Sequence, residues 1–157
     1  MNQFVCTFRE RLIDCRWQEW NTHVQESDRF SMYRLFNPFH SIPVHLSMSM
    51  NSQMRYVMTR FRLGVSDLLV HTLRYRINVD SDLTCPLCKE AKESEIHFVF
   101  CCPALNDLRT ELIPRKYYIR PSSFRLTLLM TFTQEEIIKR VALFLCRAFK
   151  VRSTVCT

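Results

Sequence analysis

The sequence predicts a mainly α-helical single domain with a short cysteine- and histidine-bearing segment set into its middle. Of its 157 residues, 47% are hydrophobic, enough apolar surface to form a core and too much for a disordered chain. Apolar side chains recur at three- and four-residue intervals through most of the length, the repeat of helices that bury one face. There is one glycine, Gly64. Tight primed hairpin turns favour Gly or Asn at positive φ, so a sheet built on them is disfavoured. The same scarcity excludes Walker-type and dinucleotide loops, and glycine-flanked nucleophile elbows, which need several glycines for close backbone approach.

The elements follow in order. Phe4, Val5, Phe8, Leu12 and Cys15, continued by Trp17 and Trp20, predict an amphipathic helix over roughly the first twenty residues, with Glu10, Asp14 and Glu19 on its wet side. Ser27 or Asp28 caps a second helix that runs to Phe36, and Pro38 and Pro43 then impose an extended loop over 37–49. Asn51 caps a third helix carrying Met54, Val57, Met58 and Phe61, which stops near Gly64. Ser66 caps a fourth through Leu69, Val70 and Leu73. Pro103 fits the first position of a helix through Leu105, Leu108 and Leu112 that ends at Pro114. Ser122 or Ser123 opens the next, with Leu126, Leu129 and Met130. Thr133 and Glu136 form a capping box for a long last helix whose stripe is Ile137, Val141, Leu145, Ala148 and Phe149 and whose other face holds Lys139, Arg140, Arg147 and Lys150. The expected organisation is one domain over 1–157, with N-terminal helices and a basic segment over 1–79, the inserted segment over 80–106 and C-terminal helices over 107–157.

The inserted segment reads CPLCKEAKESEIHFVFCC from Cys85 to Cys102. Cys85 and Cys88 are close enough for both sulfurs to meet on one side of a turn, Pro86 stiffens that turn, and His97 follows. Two cysteines, a histidine and a third cysteine are the ligand set of a structural zinc ion, which takes four sulfur or nitrogen donors and leaves no place for a substrate water. Three thiolates around a dication leave a net negative charge, which backbone N–H groups from Leu87 to Lys89 and the ammonium groups of Lys89 and Lys92 can offset. The fourth ligand is Cys101 or Cys102. A regular helix or strand from His97 favours Cys101, four residues on. Cys102, placed before Pro103, falls at a helix N-cap, where unpaired N–H groups stabilise a thiolate, and this favours Cys102. Cys6, Cys15 and Cys146 lie within helical patterns and Cys156 near the end of the chain, so a disulfide framework is not expected. A thioredoxin-type redox pair is disfavoured because no βαβ pattern surrounds it.

Other titratable residues form no comparable constellation. His23, His40, His45 and His71 are scattered and read as surface or capping residues. Glu93 and Glu95 fall in a polar stretch expected to be solvated, and Asp80 and Asp82 mark a turn. No acid and base pair stands out, so the chain is not expected to be an enzyme.

The net charge is +7, unevenly spread. Arg55, Arg60, Arg62, Arg74 and Arg76 face only Asp67 within 51–79, whereas the segment from 81 to 100 is acidic. Such a distribution suits a polyanion, RNA or single-stranded DNA, with those five arginines on phosphates. The N-terminus MNQFVCTFRERL lacks a secretory pattern, and no apolar run approaches the roughly 20 residues of a spanning helix. An intracellular protein without a membrane contact is expected, nuclear or cytoplasmic.

The succession MRYVMTRFRLGVSDLLVHTLRY, CPLCKEAKESEIHFVFCCPALNDLR, LIPRKYY and LCRAFKVR resembles the C-terminal zinc-binding region of reverse transcriptases from non-LTR, LINE-type retrotransposons. The family pattern of Cys-Pro-x-Cys, an acidic stretch, His-Phe and Cys-Pro implies Cys85, Cys88, His97 and Cys102 as the zinc ligands. It further implies a non-catalytic module that helps hold template RNA or target DNA. No polymerase aspartate motif is present, so the resemblance is to the tail of a larger polyprotein. A zinc-stabilised protein-interaction module and a functionless transposon remnant are the competing expectations.

Overall fold

The computed structural model describes residues 3–27, 30–37, 42–74 and 83–156, with side chains from residue 9 onward. Helix α1, Gln3–Glu26, is followed by α2, Ser31–Phe36. Arg34 closes the end of α1 by donating to the carbonyls of Val24, Gln25 and Ser27 at 2.6, 3.0 and 2.8 Å. Edge-to-face contacts of Trp20 with Tyr33 and of His23 with Phe30 join the two helices. The side chains of Phe4, Val5 and Phe8 lie outside the described residues, while Leu12 and Cys15, expected on the same buried face, are exposed. Leu12 and Ile13 are 50% and 48% exposed, and Val24 is the one buried side chain among those described in this helix. At about 100° per residue Leu12, Ile13, Trp17 and Trp20 share one arc of about 140°, and the helix packs on α2 through its last turns, at Trp20, His23 and Val24.

The second helix starts later than Ser27, and Phe30 at its entrance makes no side-chain cap. The stretch expected to be a loop contains one helical turn, α3 at Val44–Ser47, opened by Pro43, whose fixed φ of −57° suits a helix start. Helix α4, Ser52–Arg62, begins as predicted, with Asn51 Oδ1 accepting from the Gln53 amide at 2.8 Å. It ends in a Schellman motif: the Gly64 amide donates to Phe61 O and the Val65 amide to Arg60 O. Gly64 has φ +67°, and a Cβ there would lie 3.0 Å from Met32 Cγ, so both conformation and space require glycine. Ser66 does not cap the following helix. α5 is the single turn Leu69–Thr72, and the Ser66 hydroxyl instead bonds His71 Nδ1 at 2.7 Å.

After the central segment a 3₁₀ turn at Pro103–Leu105 leads into α6, Asn106–Leu112. Pro114 ends that run and opens a short helix absent from the prediction, α7 at Arg115–Tyr118. α8, Ser123–Met130, is capped by Ser122 Oγ as expected. α9, Glu135–Val155, starts without the capping box; Gln134 occupies the N-cap and its side chain does not cap the helix. Its buried face is Ile138, Val141, Ala142, Phe144, Leu145, Ala148 and Arg152. α4 and α6 pack along this face, and α2 and α3 cover α4. The described residues contain no strand, only one bridge between Thr84 and Lys92. None of their helices is long and apolar enough to cross a membrane.

His45 and His71 are both 4% exposed, not surface residues. Thr59 Oγ1 donates to Arg55 O at 2.8 Å, so it accepts the proton of His45 Nε2, 3.1 Å away. Burial first, then the charges of Arg62 and Arg55, push the His45 pKa from 6.5 down to about 4. A histidine whose folded pKa lies below its unfolded value stabilises fully above the latter, because only the unfolded chain then gains a proton as pH falls. Stability is therefore expected to decline as pH drops from about 6.5 towards 4. The melting temperature of a His45→Gln variant should vary less with pH across that window, a difference thermal melts at stepped pH will read.

Candidate metal centre

The segment that carries the cysteines closes on itself through backbone bonds. The Cys85 amide donates to Ala91 O at 2.8 Å and the Glu93 amide to Leu83 O at 2.7 Å, around the Thr84–Lys92 bridge. Inside this loop the Lys89 amide reaches Cys85 O at 2.8 Å, and Lys89 takes φ 60°, a left-handed conformation that an L-residue other than Gly, Asn or Asp seldom adopts. The turn directs the amides of Leu87 and Cys88 at the Cys85 sulfur and those of Glu90 and Ala91 at the Cys88 sulfur.

The other two donors are the first residue of a π-helical turn, His97–Cys101, and the residue that follows it, Cys102. Ser94 Oγ accepts from the His97 amide at 3.1 Å, which fixes the entry to the turn. The Cys102 amide donates to His97 O at 2.7 Å, a bond spanning five residues instead of four. This wider turn stacks residue 102 over residue 97 and leaves Cys101 outside. Cys102 is 0% exposed, whereas the Cys101 side chain faces solvent. Between the ligand positions, Phe98, Val99 and Phe100 enter the core, and the Phe98 ring lies 4.8 Å from Phe149 of α9.

Cys85, Cys88, His97 and Cys102 converge so that one donor atom of each lies within 4.8 Å of all the others. Cys85 Sγ and Cys102 Sγ are 3.9 Å apart, and Cys88 Sγ is 3.3 Å from His97 Nε2. A tetrahedral zinc with Zn–S of about 2.3 Å requires sulfurs about 3.8 Å apart, whereas a disulfide requires about 2.05 Å. The cluster therefore has the spacing of four ligands around one metal ion, and its cysteines are free thiols.

Its electrostatics agree with a cation. Burial, and next the adjoining Cys85, push the Cys102 thiol up to about 12 against the help of the Ala104 amide. Burial likewise raises Cys85. For Cys88 burial is outweighed by the amides of Glu90 and Ala91 and by the neighbouring thiols, and its pKa falls. Three thiolates do not coexist in so small a buried volume by themselves, and a dication at their centre reverses that repulsion. His97 is held neutral by burial and then by the Arg109 charge, the form in which imidazole ligates.

Three residues not expected to matter surround this centre. Arg109 is 3% exposed and donates to Val99 O at 2.9 Å and to Cys102 O at 2.6 Å, fastening the carbonyls of the π turn and of its last ligand. Glu93, expected in a solvated stretch, is 1% exposed. It forms a two-point ion pair with Arg152 of α9 at 2.6 and 2.9 Å, and it accepts the Leu69 amide of α5 at 2.7 Å. Glu95 is half-buried as well. It accepts from His71 Nε2 at 2.8 Å, and although burial opposes its charge, that bond and the nearby Arg74 hold its carboxyl below the usual range. The sequence did carry a signal for Arg152, which continues the Val141, Leu145, Ala148 stripe of α9 and so had to be buried with a partner.

The arginines expected on phosphates do not form a free stripe. Arg62 is 6% exposed and donates to Phe36 O, Met130 O and Asn37 Oδ1. It is a core fastener, and its placement corrects the expectation. Arg55 donates to Met48 O and Met50 O, and Arg74 sits between Ser31 and Glu95. Arg60 reaches Val65 O and Asp67 while remaining partly exposed. Arg76, Asp80 and Asp82 lie outside the described residues.

No family model matches the chain, and neither the curated proteins nor the solved structures contain a match.

Proposed function

We propose that the protein is a non-catalytic helical module, fastened by one structural zinc ion on Cys85, Cys88, His97 and Cys102, that binds RNA or single-stranded DNA. The observation that carries the proposal is the buried Cys₃His cluster. Four protein donors complete a zinc ion's tetrahedron, a closed site that favours a structural over a catalytic metal. Sulfur and imidazole donors favour zinc over magnesium or calcium.

The binding half rests on the charge of +7 together with the exposure of Arg9, Arg11, Arg16, Arg115, Lys116, Arg120, Arg147 and Lys150. Origin from a LINE-type reverse transcriptase is part of the same proposal and rests on the order of the sequence motifs. Zinc content of the purified protein tests the first half at one ion per chain. For the second, affinity for a short single strand should fall at least about tenfold between 50 and 200 mM salt if a few phosphates are neutralised. Metal-free, stably folded protein, or an affinity indifferent to salt, would falsify the corresponding half.

A further inference from the structure

Along one side of the molecule α4 and α9 part to leave a cleft of about 470 Å³, within the span of small-ligand sites. Its floor is apolar, formed by Val57, Cys146 and Phe149, and its rim carries Arg60, Arg147 and Lys150 against the single carboxylate of Asp67. Tyr56 stands at the edge, 55% exposed. The ring is held: the Arg60 guanidinium lies 5.5 Å from its centroid and donates to its hydroxyl at 3.2 Å. Arg60 is itself fixed by Val65 O at 2.8 Å and Asp67 at 3.1 Å.

An apolar floor with an exposed ring and a cationic rim matches one chemical class well, a planar aromatic base joined to a phosphate. We infer that this cleft receives a single nucleic-acid strand, with a base against Tyr56 and Phe149 and the adjoining phosphate held by Lys150 and Arg147. The inference rests on the nucleic-acid reading above and, among the described arginines expected on phosphates, keeps Arg60 alone at the contact surface, joined there by Arg147 and Lys150 of α9. Arg147 also bonds Glu111 at 2.9 Å, but both partners are about half exposed, and such pairs yield readily to a phosphate.

Both walls of the cleft are tied to the metal-bearing segment. Ser66, in one wall, bonds His71, which bonds Glu95. Ser153, in the other, follows Arg152, the partner of Glu93. The zinc segment thus sets the distance between the walls.

The test is fluorescence anisotropy of a labelled oligo(dT) strand of about ten nucleotides at low salt, with zinc-loaded wild type, Tyr56→Ala, Tyr56→Phe, Lys150→Glu and Arg120→Glu. Arg120 is exposed and does not line the cleft, so its reversal matches Lys150→Glu in charge alone. Tyr56→Ala is expected to weaken binding at least about fivefold through lost stacking, with Tyr56→Phe close to wild type. Lys150→Glu should weaken it several times more than Arg120→Glu. Circular dichroism should be unchanged, since each altered side chain is exposed. If the wild type binds and the cleft variants match the Arg120→Glu control, the cleft assignment falls and the general reading stands. If the wild type binds an acidic peptide and no strand, both fall.

Discussion

Cys102→Ser is expected to abolish stoichiometric zinc binding and to lower the melting temperature sharply, while Cys101→Ser leaves both unchanged. The contrast follows from the π turn: a bond from the Cys102 amide to His97 O puts residue 102 at the cluster, 3.9 Å from the Cys85 sulfur, and turns Cys101 to solvent. A ligand bound only by the folded state stabilises it by about 4 kcal/mol when present a thousandfold above its dissociation constant. In a chain of this size that is on the order of 8–16 °C in melting temperature. Chelation of the wild type should reproduce the Cys102→Ser melt, and zinc added back should restore the first but not the second. Phe98, Val99 and Phe100 lie between the ligands and fill the core, so loss of the metal loosens more than an isolated loop. The helices built on α9 should nonetheless keep most far-ultraviolet dichroism. Metal analysis and thermal melts of the two serine variants read the result, and equal zinc loss in both would overturn the ligand assignment.

The residue types of the candidate metal centre were legible because ligation imposes composition and spacing together. Cys85, Cys88 and His97 are polar or reactive groups whose recurrence within a short stretch has few other uses, and Pro103 marks the boundary after Cys102. Asn51, Gly64 and Ser122 were legible for a similar reason, since each meets a local backbone requirement. What sequence periodicity does not encode is a departure from regular geometry. Helical spacing by itself pointed to Cys101 while Pro103 pointed to Cys102, and a turn one residue wider than an α-helix is the geometry that brings Cys102 to the cluster. Nor does it encode long-range pairing. Glu93 in a run of charged residues looks solvated until Arg152, 59 positions later, is brought against it. Arg62 reads as a surface cation because its three acceptors, Phe36 O, Asn37 Oδ1 and Met130 O, come from distant parts of the chain. The apolar residues of α1 err in the opposite direction: Leu12 and Cys15, expected on a core face, are exposed among the described residues.

The pair formed by Glu93 and Arg152 is where a single substitution outside the ligand set should cost most. Both carboxylate oxygens are used by Arg152, and Oε2 also accepts the Leu69 amide, so one buried side chain joins the metal segment to α9 and to α5. Removing one member of a buried ion pair typically costs about 3–5 kcal/mol, because the other charge remains without its partner in a medium that solvates it poorly. Glu93→Gln and Arg152→Met are each expected to lose stability of that order. The Glu93 carboxylate orphaned by Arg152→Met keeps the Leu69 amide, whereas Glu93→Gln leaves a cation with no other carboxylate bonded to it among the described residues. The double variant should be more stable than the sum of the single losses predicts, since it buries no unpaired charge. Zinc stoichiometry separates this role from ligation: Arg152 contributes no donor to the cluster, so Arg152→Met should melt early with its metal still bound. If chemical denaturation finds Arg152→Met within about 1 kcal/mol of the wild type, the ion pair is not what holds α9 to the metal segment. Loss of zinc in that variant without loss of helical stability would assign Arg152 to the site instead.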